Sequence, residues 1–259
     1  MQVQGREAHR STCGFLYLAG LRGCFLIDHS GEQELIRAIA VDIDGTLSDE
    51  NRVLSPSVVE AMRSLKVPVV LATGNTHCFT RTVSILLGTP RIFIAENGGV
   101  VSHSENEMEI LADPAMCQEA YRQLSLVFPL EVYNSFRYRF TDIALKRNFD
   151  VSEASRYIEA RSLPVDLLDT TYAVHIKDKR VDKGTGLERV AERMGIGPEE
   201  FAAVGDSTSD VPMFKLAGFK AAVNNAHPDL KAISDYVAET SYGQGFAEIV
   251  NYMVERRML

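Results

Sequence analysis

Two acids two residues apart, Asp42 and Asp44, lie in the run DIDGTL (residues 42–47), directly behind an apolar stretch at 36–41. Carboxylates so close repel unless they share a proton or a cation. Gly45 permits a sharp turn, and successive backbone N–H groups in such a turn can cradle phosphate oxygens. An acid-rich turn that merely ends a strand would look similar, but DxDGT in this position is too specific for that reading to be preferred. A second acid pair follows later, in GDSTSD (residues 205–210), where Asp206 and Asp210 again stand just past an apolar run. Taken alone, this segment reads as a helix N-terminus with Asp and Ser caps. Beside Asp42 and Asp44 at a neighbouring strand end, the four acids call for a hard cation. Mg²⁺ suits them, with oxygen ligands and several retained waters.

Two further groups could handle phosphate. Thr73, before Gly74 and Asn75, offers a hydroxyl at the end of an apolar run; by itself it is a weak signal. Lys183, in Asp182-Lys183-Gly184, opens a helical pattern. A cation is disfavoured at a helix N-terminus, so its placement invites a compensating anion such as Asp42 or a phosphoryl group.

These residues need a frame that brings strand ends together. Continuous apolar runs at 36–42, 68–72, 91–95, 201–204 and 220–223 read as buried strands. Helical patterns interleave with them. Ser55-Pro56 caps one helix, with Val58, Met62 and Leu65 on its face. Val83, Leu86 and Leu87 mark a second, Leu187, Val190, Ala191 and Met194 a third, and Met213, Leu216 and Ala217 a fourth. Apolar strands alternating with helices predict an α/β fold, a doubly wound parallel sheet covered on both faces. Ligands bind such sheets outside the carboxyl ends of the strands, where every group named above falls. The middle segment differs. Helices at 114–126 and 152–161, a partly alternating stretch at 136–145 and a strand at 172–176 suggest a small α+β unit on an open sheet. The expected division is an extension at 1–34, a catalytic core at 35–103 and 179–259, and an inserted cap at 104–178.

Composition narrows the partners. The chain has 259 residues, 46% of them hydrophobic, and a net charge of −8 without a long Lys/Arg block. No electrostatic footprint for nucleic acid or anionic lipid is present. Cys13, Cys24, Cys78 and Cys117 form no CxxC pair, so neither a zinc site nor a disulfide framework is indicated. The apolar run at 14–27 is interrupted by Arg22 and too short for a membrane span. The expectation is a cytoplasmic protein acting on a small molecule, with homo-oligomerisation left open.

The order of the four constellations resembles the haloacid dehalogenase superfamily of phosphatases. Glu96-Asn97-Gly98-Gly99 and GDSTSDVPMF (residues 205–214) resemble its archaeal-type phosphoglycolate phosphatases, near the sugar-phosphatase branch. The resemblance runs from about residue 36 to the C-terminus. It implies Mg²⁺-dependent hydrolysis of a small phosphate monoester, foremost 2-phosphoglycolate, through an aspartyl-phosphate. Asp42 would be the nucleophile and a metal ligand. Asp44 would be the general acid/base and would bind the metal through its backbone carbonyl. Thr73 and Lys183 would contact the phosphoryl group, and Asp206 and Asp210 would complete the metal site. The cap would choose the substrate. Ser209 departs from the Asn that many such relatives carry before the last Asp. In the resembled family the first strand lies almost at the chain start, so residues 1–34 are expected to be disordered or to precede the true start.

Within the cap, Arg137 and Arg139 could read a substrate carboxylate from one face of the alternating stretch; a solvated pair on the outer face serves as well. His175 reads as an ordinary strand residue. Two other activities fit the same residues: a sugar-phosphate phosphatase, and a phosphotransferase or mutase that passes the phosphoryl group to an alcohol. A non-catalytic phosphate binder would not need a nucleophile beside an acid/base.

Overall fold

A computed structural model describes residues 36–170 and 172–259. The extension expected at 1–34 lies outside the described residues. In chain order the elements begin with β1 (Ala38–Val41), α1 (Pro56–Ser64), β2 (Val69–Ala72), α2 (His77–Leu87), β3 (Phe93–Ala95), β4 (Val100–Ser102) and β5 (Met108–Ile110). Next come α3 (Pro114–Leu124), β6 (Ile143–Leu145), α4 (Val151–Ala160), β7 (Val165–Asp169) and β8 (Val174–Asp178). The chain then forms α5 (Lys183–Met194), β9 (Phe201–Gly205), α6 (Val211–Phe214), β10 (Phe219–Ala222), α7 (Pro228–Ala232), β11 (Tyr236–Val237) and α8 (Tyr242–Glu255).

Strands β1, β2, β3 and β9 are buried at every position. That is why their sequences are unbroken apolar runs: helices cover both faces, and no position alternates to water. The large sheet has the order β11-β10-β9-β1-β2-β3-β4-β5. It is parallel from β11 to β3, and β4 and β5 close one edge as antiparallel strands. From β1 the chain first adds strands toward β3, and later returns to add β9, β10 and β11 on the other side. Strand order therefore reverses between β1 and β9, the place where open α/β sheets leave a crevice at their carboxyl ends. This is the doubly wound α/β architecture expected from the alternating pattern.

A second, three-stranded antiparallel sheet has the order β6-β8-β7. Its register places Ala144, His175 and Leu168 side by side. Side chains alternate across a strand. Ile143, Leu145, Val174 and Ile176 pack with Cys117, Ala120 and Leu124 of α3 and Ala154 and Ile158 of α4. Ala144, His175 and Leu168 line the cleft instead.

Four local expectations change. Met108–Ile110, expected inside the insert that starts at 104, pairs with β4 and belongs to the large sheet. The stretch 136–145 is not one alternating strand. Asn134–Tyr138 is a 3₁₀ turn, and only Ile143–Leu145 joins the small sheet. The backbone N–H groups of Phe140 and Thr141 donate to the Glu96 carboxylate, a partner that replaces a strand ladder. The helix expected around Met213 to Ala217 is only the single turn of α6. On α2, Val83 and Leu87 are buried, whereas Leu86 is 73% exposed. Among the described residues no helix is long and apolar enough to cross a membrane.

The α2 assignment predicts unequal responses from adjacent leucines in urea unfolding. Leu87→Ala should cost about 2–5 kcal/mol by leaving a cavity, and Leu86→Ala less than about 0.5 kcal/mol.

Candidate active site

The turn after β1 is shaped around carboxylates. Gly45 has φ +85°, and a Cβ there would collide with the Asp206 carboxylate. Thr46 Oγ1 donates to Asp206 Oδ1 at 3.0 Å. Asn225 Nδ2 donates to the Gly45 carbonyl at 2.8 Å, and Asn225 Oδ1 accepts from Tyr242 N, so α8 buttresses the same turn. From β9, Asp210 turns back: its Oδ2 accepts from the backbone N–H groups of Asp206 and Ser207 at 3.1 and 3.0 Å.

Lys183 enters this group from the first turn of α5. Asp182 caps that helix by accepting from Gly184 N and Thr185 N, and Thr185 Oγ1 accepts from Asp182 N in return. Gly98, with φ +95°, lets the loop after β3 pass so close that a Cβ would collide with the Asp182 carbonyl. The Lys183 side chain, 2% exposed, then donates to Asp42 Oδ1 at 2.8 Å and to Asp210 Oδ1 at 2.7 Å. Burial alone would discharge this ammonium, but the two carboxylates outweigh it and raise its pKa above the ordinary lysine value.

The acids outnumber their cation. Carboxylate oxygens of Asp42, Asp206 and Asp210 lie within 4.8 Å of one another, enough to hold a metal ion between them. Without one, burial pushes Asp42 well above the usual carboxylate range, with Asp210 and Asp206 adding repulsion against the pull of Lys183. Asp206 is pushed to about 7 by burial and by the charge of Asp210. An all-oxygen donor set in excess of its internal cation fits a hard divalent ion.

Asp44 stands apart from this cluster. Its carboxylate accepts from Arg52 Nε at 2.9 Å and from Asn75 Nδ2. Thr73 is buried at the end of β2, where its hydroxyl accepts from Asn75 N and Nδ2 at 3.1 and 3.0 Å. Asp42, Asp44, Thr73, Lys183 and Asp206 all line one cleft of about 700 Å³. Ser209, at the position noted for its departure from relatives, shares a 2.8 Å hydrogen bond with Ser207 and lines the same cleft.

The small sheet supplies the opposite wall. Asp142 is buried; burial opposes its charge, yet Arg139 and His175 together hold its carboxyl down at about 2. As an ionised acceptor it fixes the proton of His175 on Nδ1, 2.8 Å away. Arg139 pairs with Asp142 and donates from Nη2 to the Gly74 carbonyl at 2.8 Å, joining the two walls. Arg137 is exposed and does not line the cleft. The proposed pair of carboxylate readers is therefore reduced to Arg139, whose charge is already engaged. Glu96 makes the other crossing. Its carboxylate accepts from Phe140 N, Thr141 N and Thr141 Oγ1, at 2.8–3.1 Å. Glu96 and Asn97 both have left-handed φ, 51° and 55°, strain that such a cluster of bonds offsets.

Sequence reasoning missed Arg52, Asp142 and Asn225 and gave His175 no role. None carries a local pattern. Asn75 belonged to the recognised turn Thr73-Gly74-Asn75, and Glu96 and Asn97 lay in a quoted motif, so a signal existed for those three.

Residues 39–158 and 167–250 match the haloacid dehalogenase-like hydrolase family. The chain belongs to that family. It is similar to a protein of Methanothrix thermoacetophila named phosphoglycolate phosphatase, 54% identical over 85% of this chain and 97% of the relative. A protein of the same name from Archaeoglobus fulgidus is 44% identical over 84% of this chain and 96% of its own. Among solved structures, one from Thermoplasma acidophilum superposes with a TM-score of 0.78 at 25% identity, covering 87% of this chain and all of that one. A haloacid dehalogenase-like hydrolase from B. subtilis, 22% identical, shares the fold with a TM-score of 0.70 over 84% of this chain and 99% of its own.

The acid cluster predicts a pH-dependent response to divalent cations. A carboxyl whose folded pKa is raised binds its proton more tightly folded than unfolded, so the stability that Asp206 contributes to the metal-free protein is lost as pH rises from about 4 to about 7, and the contribution of Asp42 changes in the same direction. Mg²⁺ at about 100 times its Kd should restore about 2.7 kcal/mol, a rise in Tm of about 5–10 °C, at pH 8 and much less at pH 5. Thermal melts with and without the cation check this.

Proposed function

We propose that this chain hydrolyses small phosphate monoesters, 2-phosphoglycolate foremost, through an aspartyl-phosphate on Asp42. The observation that carries the reading is the buried Lys183 ammonium seated between Asp42 and Asp210, with Asp44 held outside that cluster. Binding a phosphate would need the cation alone; a carboxylate placed at its side, and a second one kept separate, suit chemistry. The similarity to proteins named phosphoglycolate phosphatase supports the choice of substrate.

In this mechanism Lys183 and Thr73 orient the phosphoryl group. Asp42 attacks phosphorus, forming an Asp42–phosphorus bond while the bond to the leaving oxygen breaks. Asp44 gives its proton to that oxygen and then takes one from the water that cleaves the aspartyl-phosphate, releasing inorganic phosphate and restoring both acids. Asp42, Asp206, Asp210 and the backbone carbonyl of Asp44 would hold Mg²⁺, which supplies charge neutralisation at the phosphoryl oxygens. The small sheet, acting as a cap, would present His175 to the leaving group. Its Nδ1 donates to Asp142, and in the imidazolium form, whose charge the Asp142 carboxylate would balance, Nε2 would donate to a carboxylate of the leaving group.

Phosphate release from a panel of monoesters, with and without EDTA, tests the reading. Because the cleft of about 700 Å³ exceeds a two-carbon acid, the panel includes sugar phosphates. Hydrolysis predicts metal-dependent phosphate release that favours 2-phosphoglycolate. Transfer to an added alcohol without release would establish the phosphotransferase alternative. Asp42→Asn should lower turnover by on the order of 10⁴-fold or more, as expected for loss of a nucleophile; retention of more than a tenth of the activity would remove Asp42 from that role.

His175→Ala should raise KM for 2-phosphoglycolate about 10-fold or more, the cost of one lost polar contact. Steady-state kinetics on p-nitrophenyl phosphate, whose leaving group lacks a carboxylate, should change far less.

A further inference from the structure

Arg52 sits in a turn that glycine or asparagine would occupy at lower cost. Its φ is +64°, an uncommon conformation for a long side chain. The turn is built around it: Arg52 N donates to the Asp49 carbonyl at 2.9 Å, and Asp49 Oδ1 accepts from Asn51 N and Val53 N at 2.9 and 2.8 Å. Retaining arginine in a left-handed position points to use of its side chain.

That side chain meets four groups. Nε donates to Asp44 Oδ1 at 2.9 Å, and Nη2 approaches Asp44 Oδ2 at 3.4 Å, so the guanidinium spans both oxygens of the carboxylate. The same Nη2 donates to Asn75 Oδ1 at 2.9 Å. This sets the sense of the Asn75 amide, leaving Nδ2 to donate to Asp44 and to Thr73 Oγ1. The guanidinium also lies 5.1 Å from the Phe79 ring centroid and 5.8 Å from that of Tyr172. Phe79 belongs to α2, the helix that follows β2 of the large sheet, while Tyr172 comes from the loop joining β7 to β8. Arg52 is thus seated between the two walls of the cleft.

We infer that Arg52, seated between Phe79 and Tyr172, is the positioning residue that aims the Asp44 carboxyl at the leaving oxygen. A guanidinium fork constrains both the rotation and the location of a carboxylate, which a point charge does not. Among the described residues Asp44 otherwise has only Asn75 to orient it, and Asn75 is itself oriented by Arg52. The inference rests on the phosphatase reading and adds to it the group that makes the proton transfer geometrically reliable.

The test is leaving-group dependence of kcat/KM, which reports formation of the aspartyl-phosphate. Arg52→Ala and Arg52→Lys are compared with the unaltered protein on ethyl phosphate, 2-phosphoglycolate and p-nitrophenyl phosphate, with Mg²⁺ present. Alkoxide leaving groups need the proton from Asp44; p-nitrophenolate departs readily as its anion. A positioned acid contributes about 10²–10⁴-fold, so Arg52→Ala should lose about 10²-fold on both alkyl esters and less than about fivefold on the aryl ester. Arg52→Lys, which keeps the charge without the fork, should show the same selective loss at smaller size. Equal loss on all three esters in both variants would overturn the inference in favour of a structural or phosphate-binding role. Loss confined to 2-phosphoglycolate would overturn it in favour of direct carboxylate binding. If the unaltered protein releases phosphate from none of the esters, the phosphatase reading itself falls and takes the inference with it.

Discussion

The buried Lys183 ammonium between Asp42 and Asp210 is the interaction on which the rest depends. A cation at a helix start is opposed by the helix dipole, and burial opposes it further. It remains charged because two carboxylates sit within 3 Å, and those carboxylates remain close to each other because the ammonium separates them. Removing any one member strands the others without solvent. The arrangement therefore demands that β1, β9 and α5 arrive together with little tolerance. The small residues around it follow from that demand: Gly45 yields space to Asp206, and Gly98 to the backbone of Asp182.

The same cluster is incomplete as a charge balance. Three acids face one internal cation, and the excess raises Asp42 and Asp206. A site built this way is stable only when further positive charge is present. An excess of negative protein charge of this kind would draw in a divalent cation, which would in turn neutralise phosphoryl oxygens. The net charge of −8 repels a phosphate substrate at long range, so attraction must come from these local groups.

A second set of bonds ties the two sheets together without touching the acid cluster. Glu96 takes the backbone donors of Phe140 and Thr141, Arg139 reaches the Gly74 carbonyl, and Arg52 lies between Phe79 and Tyr172. All three crossings join a loop at the carboxyl edge of the large sheet to a segment beside the small one, the stretch before β6 or the loop between β7 and β8. The wall that holds His175 is thereby set in register with the wall that holds Asp42.

Much of this was legible in the residues. The parallel strands are legible because each is buried on both faces and so reads as an unbroken apolar run, as at Ala38–Val41 and Phe201–Gly205. Asp42, Asp44, Lys183, Asp206 and Asp210 are legible because their chemistry is local: acids placed just past apolar strands, and a lysine opening a helix. The insert was harder. Its strand at Ile143–Leu145 is three residues long and follows a turn whose backbone is satisfied by Glu96, more than forty residues away; periodicity cannot register a partner that distant. The roles proposed for Arg52 and His175, and the bonds made by Asp142, are of the same kind. An arginine in a turn and a histidine in a strand have no pattern that marks them, and each acquires a role only when folding places a carboxylate within hydrogen-bond reach. What the chain alone determined is the layered α/β frame and the acids at its strand ends, because burial and spacing are properties of neighbours in sequence. Which groups face those acids across the cleft was decided by tertiary structure, because that depends on contacts between residues the sequence keeps far apart.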